Sequence, residues 1–235
     1  MELSQKEMKA LAGRTAVDAL VRSGMKLGLG TGSTAIPAVK HIGALMAEGT
    51  LKDIKAVPTS FQTVLECEAL GIPLFNLNSR EIGGRLDLTI DGADEVDPRN
   101  FCTKGGGGAL LLEKIIAYAS ASYAIVVDES KTVDALGITF SIPVEVIPEA
   151  RVPVFRVLEK LGMEPVLREA VRKAGPVITE HGNLIVDVRL KQAADSAALE
   201  EELNCIPGVV ENGLFTRIRP SVFIARRDST VDRRD

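Results

Sequence analysis

The 235-residue chain has no tryptophan, 4% aromatic residues, two histidines and three cysteines. So few aromatic faces exclude a stacking platform for nucleobases. His41 and His181 form no HExxH pair, and Cys67, Cys102 and Cys205 form no CxxC, so neither a thiolate zinc site nor a disulfide framework is expected. Uncharged runs such as Ile115–Val127 fall short of the ~20 apolar residues that a membrane span needs. Basic blocks are lacking too: 28 Lys+Arg stand against 32 Asp+Glu, a net charge of −4, without the cationic footprint of a nucleic-acid binder. The opening Met1-Glu2-Leu3-Ser4-Gln5-Lys6 lacks the basic-then-apolar order of a signal peptide. Together these absences point to a reduced, cytoplasmic protein without nucleic-acid or membrane partners.

What is present suits a globular core: 46% hydrophobic and 26% charged residues. Ser4 and Glu7 have capping-box spacing, and Met8, Leu11, Ala12, Val17, Leu20 and Val21 follow at helical intervals, predicting a helix over about residues 5–22. Short apolar strands then alternate with helices: strands at 26–29, 54–58, 72–77, 86–90 and 124–127, helices at 33–47, 61–70 and 109–120. Such alternation predicts a doubly wound, mostly parallel α/β sheet of Rossmann-like kind. From about residue 133 the order becomes β-α-β-β-α, with Val177–Thr179 and Asn183–Val188 reading as a hairpin around Gly182. That order fits a small inserted ferredoxin-like α+β domain. The expected division is residues 1–132 plus 208–235 for the larger, catalytic domain and 133–207 for the smaller, with Arg226–Asp235 fraying as a charged tail.

Three segments carry chemistry. Gly28-Leu29-Gly30-Thr31-Gly32-Ser33-Thr34 lies between a strand and a helix, where exposed N–H groups, a positive helix end and hydroxyls make a phosphate cradle. It is neither a Walker loop nor GxGxxG, and an ordinary tight turn with an N-cap is the competing reading. Asp91-Gly92-Ala93-Asp94-Glu95-Val96-Asp97-Pro98 follows an apolar strand, at the sheet end where open α/β folds bind ligands. Its carboxylates suit acid/base work or a hard cation, although calcium-loop spacing is absent, and a solvated acidic turn is the plain alternative. Lys104-Gly105-Gly106-Gly107-Gly108 enters a helix whose first turn holds Glu113. Consecutive glycines are costly in backbone entropy, so a nest of N–H groups beside a lysine is one reading. Glu113 reads either as a base at an apolar boundary or as a surface carboxylate paired with Lys114. Lys131 ends a strand on the same presumed side; Ser60 suits an N-cap; Arg168 has no evident assignment.

GLGTGSTA, DGADEVDP and KGGGGALLLEK, in this order, closely resemble type A ribose-5-phosphate isomerase; VDESK, IPVEVIP, HGNLIVDV and IPGVVENGLF add to the match. The resemblance covers about residues 7–226. It implies an aldose–ketose isomerase of the pentose phosphate pathway, acting on a sugar phosphate through a cis-enediolate without metal or organic cofactor, as a homodimer or homotetramer. By motif match, Glu113 would be the base, Asp91 and Asp94 would bind hydroxyls and assist proton transfers, and Lys104 would lie beside the reacting oxygens. Thr31, Gly32, Ser33 and Thr34 would form the substrate loop, Gly105, Gly106 and Gly107 the glycine loop, and Lys131 and Lys9 would serve the phosphate. The family usually has TDNGN where this chain has Thr179-Glu180-His181-Gly182-Asn183. Sugar-responsive sensor domains share such a fold but would have no use for Glu113.

Overall fold

The structure, a computed structural model, describes residues 2–235. In chain order the elements begin with α1 (Gln5–Leu20), β1 (Lys26–Leu29), α2 (Gly32–Ala47), β2 (Lys55–Pro58), α3 (Phe61–Ala69) and β3 (Leu86–Asp91). Next come β4 (Glu95–Val96), β5 (Cys102–Thr103), α4 (Leu110–Tyr118), β6 (Ser120–Asp128), β7 (Ile142–Val146) and α5 (Arg151–Lys160). The chain closes with β8 (Glu164–Leu167), β9 (Leu184–Arg189), α6 (Ser196–Asn204), β10 (Val209–Asn212), β11 (Leu214–Phe215), β12 (Ser221–Ala225) and β13 (Val231–Arg234). Two compact units result, one of residues 1–93, 112–131 and 218–235, the other of 94–111 and 132–217.

The first unit is a six-stranded sheet in the order β13-β12-β6-β3-β1-β2, parallel except for β13. Ser4 caps α1 as the sequence predicts, accepting from Glu7 N–H while its own N–H donates to Glu7 Oε2 at 2.8 Å. Met8, Ala12, Ala16 and Val17 of α1 and Ala38, Val39 and Ile42 of α2 bury one sheet face with Leu27, Leu29, Leu88 and Ile90. On the opposite face Ile116 of α4 packs with Val57, Ile82 and Leu86. Because both faces are covered, β6 is buried without alternation from Tyr123 to Asp128, through the apolar run Ala124–Val127.

Two readings of this unit are corrected. Residues 72–77 form no strand: a single parallel bridge joins Leu74 to Ala56. Pro73 has no N–H to extend the ladder, and the chain turns away at Asn76. Conversely, the charged tail does not fray. Residues 231–234 pair antiparallel with β12, Arg233 stacks 5.4 Å from the Phe223 ring, and Arg226 pairs with Asp232. A short, charged strand of this kind closes a sheet edge against further pairing.

The second unit holds a four-stranded antiparallel sheet, β10-β7-β9-β8, carrying α5 and α6 on one face around Val144, Val146, Val154, Leu158, Val186 and Leu203. The β-α-β-β-α-β path with this order is ferredoxin-like. The unit is larger than the 133–207 expected, because β10 completes this sheet and because β11-β5-β4 add a three-stranded one. The expected hairpin also differs: β9 pairs with β8, and Ile178 makes only an isolated bridge to Leu184. The 179–183 turn is fastened by Thr179 Oγ1 and Asn183 Nδ2, each donating to Glu145 Oε1 at 2.8 Å. Glu180 and His181, where the chain departs from the TDNGN pattern, are exposed, so the turn tolerates the change.

Burial sets the thiols apart. Cys67 and Cys102 are fully buried and Cys205 is exposed; removal from water pushes the Cys67 thiol up to about 12. Native protein in mildly alkaline buffer should therefore release one fast equivalent from a thiol-exchange reagent, from Cys205, and the other two only after denaturation. Fast titration of all three would contradict this packing.

Candidate active site

β1 and β3 are neighbours, and from β1 the chain moves outward to β2 while β3 leads the other way to β6. This is the switch point at which open α/β sheets bind ligands beyond their carboxyl ends. Gly28 and Gly30 face the same side as Thr89 and Asp91 of β3, and the reason for glycine is plain. A Cβ on Gly28 would stand 2.0 Å from Thr89 Oγ1, and one on Gly30 would stand 2.0 Å from Asp91 Oδ1. The space released lets a fully buried Asp91 carboxylate accept N–H groups from Thr31 at 3.1 Å and Gly92 at 2.7 Å. A buried carboxylate is costly unless such donors replace water.

The first glycine loop then enters α2. Thr31 Oγ1 sits among hydroxyls, 2.6 Å from Thr59 Oγ1, 2.6 Å from Ser60 Oγ and 3.3 Å from Thr63 Oγ1. Thr63 in turn donates to Gly30 O at 2.8 Å, and Gly32 N–H donates to Gln62 Oε1 at 3.0 Å. The Thr31 side chain thus builds the loop instead of capping α2. Beyond Gly32, the first-turn N–H groups of the helix have no intrahelical partner, the usual feature of a helix end that can hold an anion. Lys9 Nζ donates to Ser33 Oγ at 3.0 Å, so α1 brings a cation to the same loop end. The N-cap that sequence reading expects from Pro58-Thr59-Ser60 is Ser60, accepting from Thr63 N–H, while the parts played by Gln62 and Thr63 were missed. The signal was their position directly after β2 at the carboxyl end of the sheet.

Ile116 of α4 lies over Gly28, its Cγ2 2.5 Å from a Cβ built there. Glu113 is one turn earlier on that helix face, toward the carboxyl ends of β1 and β3. It is only 5% exposed, which overturns the solvated-surface reading, and the neighbouring Lys114, which sequence reasoning treated only as a surface partner, is 3% exposed. The leucines of the first turn carry both charged groups out of water with the helix. Lys131 is half-buried at the end of the short helical turn Glu129–Lys131 that follows β6.

In the second unit, Asp94 immediately precedes β4 and lies against the end of β5. Its N–H donates to Thr103 O, and its Oδ2 accepts from Gly106 N–H at 2.8 Å. The second glycine loop needs its composition: Gly105 and Gly108 have φ of +100° and +82°, and a Cβ on Gly106 would stand 2.6 Å from Asp94 Oδ1. Lys104 is 3% exposed, with Nζ 5.6 Å from the centre of the Phe215 ring. The other acids of the turn are engaged. Glu95 accepts from Gly137 and Phe140 N–H, and Asp97 from Arg99 and Phe101 N–H. Among the described residues no three His, Cys, Asp or Glu side chains converge as a metal would require. Nor, among them, is any helix long and apolar enough to cross a membrane.

Fold and site thus define a doubly wound α/β protein with a glycine loop entering a helix at its switch point and buried carboxylates beside it. The family model for ribose 5-phosphate isomerase A (phosphoriboisomerase A) matches residues 55–229. The ribose-5-phosphate isomerase A of Treponema pallidum is 54% identical over 233 residues, covering 96% of this chain and 92% of that protein. That of Treponema denticola is 56% identical over 211 residues, 89% of this chain and 88% of its relative. Among solved structures, ribose 5-phosphate isomerase A from Methanocaldococcus jannaschii superposes with a TM-score of 0.91 at 41% identity, covering 98% and 99% of the two chains. A D-ribose-5-phosphate isomerase in complex with phospho-erythronic acid gives 0.95 at 39%, covering 99% and 100%. The chain belongs to the ribose 5-phosphate isomerase A family and is an isomerase.

Gly30→Ala should lower the unfolding free energy by about 1–3 kcal/mol, the usual cost of overpacking. Gly30→Ala/Asp91→Ala should recover part of it, as urea titration would show. Additive losses would mean that the two side chains do not compete for one space.

Proposed function

We propose that the chain interconverts D-ribose 5-phosphate and D-ribulose 5-phosphate, with Glu113 as the base. The carrying observation is a carboxylate nine-tenths buried in the first turn of α4, on the face turned toward the sheet and toward its ligand-binding end. A proton alpha to a carbonyl is a weak acid, so the step needs a positioned base and a stabilised oxyanion. In the aldose-to-ketose direction Glu113 takes the C2 proton. The C2–H electron pair becomes the C1=C2 bond of a cis-enediolate, and the carbonyl pair collects on O1. The O2 hydroxyl proton then passes to O1, the C2=O2 bond forms, and Glu113 returns its proton to C1. Asp91 and Asp94 engage sugar hydroxyls and assist ring opening and the oxygen-to-oxygen transfer; Lys104 stabilises the charge on oxygen. The contrast between the fully buried Asp91 and the half-buried Asp94 supports different roles for the two acids.

In this reading the phosphate sits on the Thr31–Thr34 loop with Lys9 and Lys131, while Gly105, Gly106 and Gly107 supply backbone donors. No step calls for a metal or organic cofactor. A coupled assay in EDTA tests the reading: wild type turns over ribose 5-phosphate, and Glu113→Gln loses at least 100-fold in kcat, at the low end of what a general base contributes. Turnover retained by Glu113→Gln, or activity lost in EDTA and restored by Mg²⁺, would overturn it.

A homodimer or homotetramer is part of the same reading. Val166, Val171 and Ile178 of the second unit are 62%, 89% and 48% exposed, apolar side chains that a contact between copies would remove from water. Sedimentation velocity should show a dimer or tetramer, and Val166→Asp should shift it toward monomer. A wild-type monomer would refute the assembly.

A further inference from the structure

The glycine loop poses a mechanical problem that the site residues do not solve. Glycine loses more conformational freedom on ordering than any other residue, and four in a row have no side chains to anchor them. Gly106 and Gly107 are exposed. Their order is supplied from far along the chain. Arg168 Nη1 donates to both Gly105 O, at 2.9 Å, and Gly106 O, at 3.1 Å. The guanidinium is itself locked to Asp187 of β9, through Nε at 2.8 Å and Nη2 at 2.5 Å, with the two side chains 15% and 24% exposed. Backbone bonds hold Arg168 on both sides, its N–H to Ile185 O and its carbonyl from Val177 N–H, each at 2.9 Å.

The consequence follows from peptide geometry. No peptide bond among the described residues is cis, and in a trans peptide the carbonyl and N–H point in opposite directions. Two consecutive carbonyls converge on one nitrogen, so the N–H groups of Gly106 and Gly107 are both turned away from the guanidinium. The first reaches Asp94 Oδ2 at 2.8 Å. The second is likewise turned from the guanidinium, on an exposed residue where an added Cβ would meet nothing within 4 Å. A carbonyl that accepts from a cation also makes its own amide a better donor.

We infer that Arg168, clamped by Asp187, is a positioning residue for the reaction. It sets the Gly106 and Gly107 amides as a donor pair, one for the Asp94 carboxylate and one for the oxygen that gains charge in the enediolate. This rests on the proposed isomerisation. Lysine cannot replace arginine here, because one ammonium cannot hold both carboxylate oxygens and two carbonyls in a plane.

The test compares Arg168→Lys, Arg168→Met and the double variant Arg168→Met/Asp187→Leu, which removes the carboxylate that the single change would strand. All three should lose about 10- to 100-fold in kcat, the range seen when a positioning partner is removed, with KM for ribose 5-phosphate within about threefold of wild type. The double variant should regain thermal stability without regaining kcat. Calorimetry then separates the loop's role from general loosening. Phospho-erythronic acid, whose planar carboxylate resembles an enediolate, should bind the double variant at least 10-fold more weakly, while inorganic phosphate binds within about twofold of wild type. Unchanged kcat in Arg168→Met, restored kcat in the double variant, or equal weakening of both anions would overturn the inference. A wild-type chain without turnover would overturn the proposed reaction instead, and the two-anion comparison would still decide the part played by Arg168.

Discussion

The close approach of β1 and β3 is the constraint on which the first unit depends. Without side chains on Gly28 and Gly30, Thr89 and Asp91 pack directly against the β1 backbone, and Thr89 Oγ1 reaches Ser120 Oγ at 2.7 Å. Asp91 is thereby buried at the switch point and bonded to the first amides on either side of the crevice. Burying a carboxylate costs several kcal/mol unless donors replace its water. The site therefore forms only if the strands close in register, so fold and chemistry share one condition.

The same economy explains why the hydroxyls of residues 59–63 matter. The loop from Gly30 to Gly32 carries little side-chain mass, yet its carbonyls and amides must keep their directions for an anion to be held. Thr31 gives its hydroxyl to that internal network, and Thr63 and Gln62 fasten the backbone on either side of it. Thr31, which sequence reading places in the substrate loop, is thus also tied by its hydroxyl to the next βα turn.

Much of this was legible in sequence because the signals were local. The strand–helix alternation, the Ser4 cap and the glycine-bearing turns each depend on a few neighbouring residues. What escaped depends on distant partners. Residues 72–77 are as apolar as a strand, but Pro73 leaves the ladder without a donor. Residues 231–235 look like a solvated tail, but in a neighbouring strand Phe223 meets Arg233 and Ser221 holds Asp235. Glu95 and Asp97 were indistinguishable from Asp91 and Asp94 in composition; only the structure shows where each finds its backbone donors, Glu95 at Gly137 and Phe140 and Asp97 at Arg99 and Phe101, against Thr31 and Gly92 for Asp91 and Gly106 for Asp94.

The two glycine loops then show two solutions to one entropic problem. Fixing a residue's backbone costs roughly 1–2 kcal/mol, so four glycines at 105–108 cost about 4–8. The first loop meets its cost locally, by strand contact and the hydroxyls of the next βα turn. The second is held by two carbonyl bonds to one guanidinium and one amide bond to a carboxylate, beside the turn bond from Gly108 N–H to Gly105 O at 2.9 Å. Hydrogen bonds to charged groups contribute about 1.5–3 kcal/mol each, roughly 5–9 for the three, which matches the cost. A cation is required because three neutral bonds, at about 1 kcal/mol each, would leave the loop mobile. That balance assigns Arg168 a role that its own neighbourhood in the sequence, Leu167-Arg168-Glu169, gives no means of reading.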